Sequence, residues 1–175
     1  MSELFKYAGF GPNRHPVMMN AITGGAKVIG RVAILDVELC AQRMDQTPDE
    51  PVSEGLPTPR GILVPKWGPD RIAQVARRAP DKIIDGMLYE INPFELALLK
   101  EWELIDLGWK TQELVAVRRT DGTEIGTTEV ALTDLITPDQ EIDHILDGLL
   151  YPTYPNNNAA ELHRAAEEVR RDQLG

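Results

Sequence analysis

Two places in the sequence combine residue types that could do chemistry. The first is Glu103, which follows Leu99 by four residues and Leu96 by seven. On a helix that spacing puts a carboxylate on the apolar, inward stripe, whereas Glu101 lies off it. Partial burial disfavours the charged form of a carboxyl group, and so suits it to accepting and returning a proton near neutral pH. An exposed glutamate at a helix end satisfies the same local pattern. The second is Tyr7-Ala-Gly-Phe-Gly-Pro-Asn13. A strand that ends in a glycine-containing turn before a helix aims successive backbone N–H groups outward, and such a nest suits an anion or a developing oxyanion. A plain structural turn fits these residues equally well. The segment lacks the Gly-Lys-Ser/Thr ending of a nucleotide phosphate loop.

Other candidates are weaker. His15, His144 and His163 share no metal-ligand spacing, and no nucleophile signature flanks them. Cys40 is the only cysteine, so neither an intrachain disulfide nor a thiolate cluster can form, and it reads as a small buried hydrophobe. Asp134, Asp139, Glu141 and Asp143 lack calcium-loop spacing and read as a solvated face. The net charge of −10 opposes polyanion binding, and Arg77-Arg78, Arg118-Arg119 and Arg170-Arg171 each have acids nearby. No nucleic-acid partner is expected, and a small molecule or a protein is the expected partner class. The absence of a long apolar run and of a signal-like N-terminus leads to the expectation of a cytoplasmic protein without membrane contact. Apolar residues at 42% and charged residues at 26% are ordinary for a globular chain of 175 residues, read as one domain.

The elements that must position these groups follow from patterning. Residues 4–10 read as a short strand, 14–22 as a helix stopped by Gly24-Gly25, and 26–36 as a buried strand. Residues 45–60 hold four prolines and a glycine among acids, and read as a loop at the mouth of the site. Residues 61–65 read as a short strand and 70–78 as a helix. Residues 82–91 form the clearest strand. Asn92-Pro93 then caps and opens a helix over 94–104. Residues 113–120 and 127–132 pair as a hairpin around Asp121-Gly122. The tail after Asn156 is a helix with Leu162, Ala165, Ala166 and Val169 on one face. Short strands with interspersed helices, and no sustained strand–helix alternation, predict an α+β fold around a small, mostly antiparallel β-barrel with flanking helices.

The two chemical signals gain meaning together. Tyr7-Ala-Gly-Phe-Gly-Pro-Asn13 resembles the Tyr-Gly-Ser-Asn loop that opens γ-glutamylcyclotransferase-like proteins. Gly86-Met-Leu-Tyr-Glu-Ile91, followed by Phe94 to Glu103, resembles that family's Gly-x-Leu-Tyr strand and the helix that carries its glutamate. The hairpin around Asp121-Gly122 and the Tyr154-Pro-Asn-Asn-Asn tail with its helix resemble the closing segments. The likeness covers most of the chain in the expected order. It implies a single domain over 1–175, with a loop insertion around 43–80.

The resemblance also implies roles. Glu103 falls on the family's acid/base glutamate. Phe10, Gly11, Pro12 and Asn13 form the loop that holds the glutamyl end of the substrate through backbone groups, and Tyr7 supports it from the strand. The implied reaction releases 5-oxoproline and an amine or amino acid from a γ-glutamyl compound, with no metal or organic cofactor. Pro12 stands where the family usually has Ser, and Leu104 where Gly usually follows the glutamate. A non-catalytic ligand-binding or protein-interaction module, and an enzyme releasing a γ-glutamyl group within a biosynthetic pathway, are the alternatives.

Overall fold

The computed structural model describes residues 3–51, 53–67, 69, 72–103, 109–118, 121–133, 143–144 and 159–174. Leu104, the acidic stretch from Asp134 to Glu141 and the Tyr154–Asn158 segment lie outside them. Strand β1 (Phe5–Gly9) leads through a 3₁₀ turn (Gly11–Arg14) into helix α1 (Pro16–Thr23). Strands β2 (Lys27–Arg43) and β3 (Ile72–Ile91) flank α2 (Pro59–Trp67), and α3 (Pro93–Glu103) follows. Strands β4 (Trp109–Arg118), β5 (Glu124–Thr133) and β6 (Asp143–His144) precede α4 (Ala159–Leu174).

The result is an α+β fold in which nearly every strand pair is antiparallel. The sheet order is β3-β1-β5-β4-β2-β6, with β3 also paired to β2. The expected small barrel is corrected: the sheet curls but is not laced shut. Its β1–β5 seam is the single parallel pair Tyr7–Glu129, β4 meets β2 over only Val32 to Ile34, and β6 is an added edge. Alternation along β1 separates two cores. Tyr7 joins Met18, Met19, Ile22, Tyr89, Ile91, Leu99, Trp102 and Ala166 beneath α1, α3 and α4. Ala8 joins Val32, Ile34, Leu88 and Val130 on the other face.

Two sequence expectations fail for identifiable reasons. Residues 61–65 are helical rather than extended. Thr58 accepts from the Gly61 N–H at 2.9 Å and Pro59 takes the first helical position, a start signal that outweighs the β-branched Ile62 and Val64. Residues 72–78 are strand rather than helix, because they pair with Val37 to Arg43 of β2. Long-range pairing overrides a locally helical pattern there. The ribbon bends where its register jumps between Leu35 and Val37. At that bend Asp36 and Asp81 adopt positive φ (58° and 64°), and Asp36 Oδ1 accepts from the Asp81 N–H at 3.0 Å.

Other elements match their signals. Gly24, at φ 88°, ends α1 and its N–H donates to the Asn20 carbonyl at 2.8 Å. Asn92 and Glu95 form a reciprocal capping box: Asn92 Oδ1 accepts from the Glu95 N–H and Glu95 Oε2 from the Asn92 N–H, both at 2.8 Å. Among the described residues no helix is long and apolar enough to cross a membrane. Because the box fixes the start of the helix that carries Glu103, Asn92→Ala should lower unfolding stability by about 1 kcal/mol. Denaturant titration with an unchanged m-value checks this.

Candidate functional site

The 3₁₀ turn after β1 is pinned to one face of the sheet at successive residues. Asn13 and Arg14 are both buried. The Asn13 N–H donates to the Phe10 carbonyl at 3.1 Å, and the Asn13 carbonyl accepts from the Tyr89 hydroxyl at 2.7 Å. Arg14 reaches Asp85 Oδ2 at 3.3 Å, and Arg31 reaches the same oxygen at 2.8 Å. Asp85 and Tyr89 lie four residues apart on β3, hence on the same face, about 13 Å along the strand. A buried carboxylate held by guanidinium groups is costly to break, so this pairing fixes the turn against β2 and β3. Gly9 completes the fit. A Cβ there would come within 2.7 Å of the Asn13 carbonyl oxygen, so the turn can fold back only over a glycine.

Helix α3 brings Glu103 to this turn. Leu98, Leu99 and Trp102 are buried, Leu96 packs partly against the same core, and Glu103 is half-buried at its rim. Glu101 is exposed. Asn13 Nδ2 donates to Glu103 Oε1 at 2.6 Å and approaches the Tyr7 hydroxyl at 3.3 Å. Neutral amide donors so placed favour the ionised carboxylate. Tyr7 is only 1% exposed, and its hydroxyl titrates well above 10.0, first because of burial and then because of the neighbouring Glu103 charge. It is therefore a neutral phenol throughout the ordinary pH range.

The structure brings Tyr7, Asn13 and Glu103 together. Gly11 is buried at φ 58° and Pro12 is half-buried beside them, whereas Phe10 packs against the core on the opposite face. Of the weak candidates, His15 caps α1, its Nδ1 accepting from the Val17 N–H at 3.1 Å. Sequence reasoning missed Tyr89, Arg14, Asp85 and Arg31. The available signal was the period-two placement of Asp85 and Tyr89 on the clearest strand, facing a turn that carries a cation. Among the described residues no group of three or more His, Cys, Asp or Glu side chains could hold a metal ion.

No family model matches the sequence, and a search of curated proteins finds no match. Solved structures do match. A γ-glutamyl cyclotransferase superposes with a TM-score of 0.56 at 16% identity, over 81% of this chain and 70% of that one. An uncharacterized human protein gives 0.55 at 17%, over the same shares of the two chains. An AIG2-like protein from Mus musculus gives 0.52 at 12%, over 91% of this chain and 93% of that one. The chain thus has the γ-glutamyl cyclotransferase-like fold.

The Tyr7 environment makes a pH-dependent prediction. The unfolded chain ionises this phenol from about pH 10, while the folded protein keeps the proton. The stability linked to Tyr7 is therefore complete below about pH 10 and is lost as pH rises beyond it. Thermal melts from about pH 9 to about pH 11 should show a steeper alkaline loss in the wild type than in Tyr7→Phe.

Proposed function

We propose that this chain is a γ-glutamyl cyclotransferase-type enzyme. It would release 5-oxoproline and an amine or amino acid from a γ-glutamyl compound. The observation that supports this reading is the 2.6 Å contact between Asn13 of the turn and Glu103 of α3. It joins a half-buried carboxylate to the glycine-containing turn on a fold shared with a γ-glutamyl cyclotransferase.

In this reading Glu103 takes a proton from the substrate's α-ammonium group. The freed amine attacks the γ-carbonyl carbon, forming the new C–N bond of a five-membered lactam. The tetrahedral centre collapses, the original amide C–N bond breaks, Glu103 returns the proton to the departing nitrogen, and the ring nitrogen gives up its second proton to the released amine, which leaves as the ammonium. Because the attack is intramolecular, holding the chain of the glutamyl group in a folded shape supplies much of the rate. The Asn13 N–H and carbonyl are engaged within the protein, and Pro12 has no N–H. Phe10 and Gly11 are then the turn residues whose backbone N–H groups would meet the glutamyl end or the oxyanion. Tyr7 would act from beneath, as a neutral support for Asn13.

One observation favours a second reading, a non-catalytic ligand-binding or interaction module of this fold. Pro12 removes a backbone donor from the turn. A screen of γ-glutamyl amino acids, peptides and amines for 5-oxoproline release separates the two. Glu103→Gln should lower kcat on a confirmed substrate by roughly 10²–10⁴-fold with little change in binding, since Gln keeps the shape but cannot carry a proton. Exposed Glu101→Gln should leave turnover unchanged. Wild-type turnover by Glu103→Gln would remove the acid/base assignment, and binding without any turnover by the wild type would favour the module.

A further inference from the structure

We infer that Asn13 is the positioning residue of Glu103: its side-chain amide orients the carboxylate and holds it in the ionised, proton-accepting state. The inference rests on the reading of Glu103 as the proton carrier, but concerns a different residue from the one that touches the substrate's proton. It also moves Asn13 from the role of substrate holder to that of a brace for the base.

Three geometric facts carry it. First, the amide is oriented by its surroundings. Both acceptors beside it, Glu103 Oε1 at 2.6 Å and the Tyr7 hydroxyl at 3.3 Å, lie on the nitrogen side. An amide presents two N–H donors there and no proton that can be lost. Secondly, Asn13 is itself immobilised. Its carbonyl is held by Tyr89 on β3, its N–H by Phe10, and its Cβ abuts Gly9, where any side chain would collide. The donor is therefore fixed before a ligand arrives, which is what preorganised positioning requires. Thirdly, Asn13 is only 6% exposed, so the donor end of this part-buried contact is shielded from water.

The titratable groups around Glu103 allow the effect to be isolated. Tyr7 on β1 and Tyr89 on β3 are buried phenols. Arg14 and Asp85 form a buried ion pair next along the turn. His15 at the head of α1 interacts with His163 on α4, which also faces Glu167. Glu101 and Lys100 of α3 itself are exposed. Replacing Asn13 by Ala or Asp removes none of these titratable groups.

The test needs no substrate. With ¹³C-labelled glutamate, the Glu103 carboxyl titration is followed by NMR in wild type, Asn13→Ala and Asn13→Asp, and Glu103→Gln assigns the resonance. Loss of the donor should raise the midpoint in Asn13→Ala, and the added like charge should raise it further in Asn13→Asp. Thermal melts report folding. Asn13→Asp is isosteric, so it decides the matter if the alanine variant does not fold. On a confirmed substrate, Asn13→Ala should lose kcat progressively toward acid pH and recover toward wild type as the pH rises. A merely structural role would lower kcat equally at every pH. Coincident titration curves for the wild type and the folded variants would overturn the inference. Displaced curves in a protein that turns over no γ-glutamyl compound would uphold it, and would remove the cyclotransferase reading instead.

Discussion

Asn13 is the point at which this fold converts backbone placement into a site. Its carbonyl is tied to Tyr89, its N–H to Phe10, and its side chain to Glu103 and Tyr7. Those partners come from β3, the turn, α3 and β1. The sheet, the turn and the helix are thus registered against one another through a single small side chain and its peptide group. None of these bonds is strong alone, since an internal hydrogen bond nets only about 0.5–1.5 kcal/mol. Leaving any of the buried partners unpaired is what costs, and that asymmetry specifies the arrangement.

The same logic explains the density of polar groups on one face of β3. Tyr89 and Asp85 sit where a purely apolar core would otherwise continue, and each holds one residue of the turn. Tyr89 does so with a neutral hydroxyl inside the hydrophobic cluster. Asp85 does so as a charge, and requires Arg14 and Arg31 to offset its burial. The apolar groups around them, Met18, Met19, Leu99 and Trp102, supply the bulk of the driving force and leave orientation to the polar pair.

Much of this was legible in the sequence. Asn92-Pro93, Gly24 and Asp121-Gly122 are local signals whose chemistry acts within a few residues, and the structure obeys them. Helical spacing offered an inward position for Glu103 beside an exposed one. The structure places it half-buried at the rim, with Leu98, Leu99 and Trp102 making the buried face. What could not be read depends on partners far along the chain. The outer half of β3 is extended only because β2 lies beside it, and the roles of Arg14 and Tyr89 appear only when residues 71 and 76 positions apart meet. The Thr58-Pro59 helix start was a local signal overlooked beside β-branched Ile62 and Val64. Failure to lace into a barrel reflects seam lengths, which no local pattern encodes.

Helix α4 carries a consequence for how the protein is made. Ala166 lies in the core that contains Tyr7, and Arg170 donates to the Asn20 carbonyl at 2.8 Å, across 150 residues of chain. A nascent chain therefore reaches the point of exposing β1, α1 and α3 while the helix that covers their shared core is still unmade. Until residues 159–174 emerge from the ribosome, Met18, Met19 and Ile22 lack part of their apolar cover. Contacts of such long sequence separation form late and slow the folding search. The core shared by β1, α1 and α3 is accordingly closed only when α4 docks onto it, 150 residues after the carbonyl that its Arg170 holds.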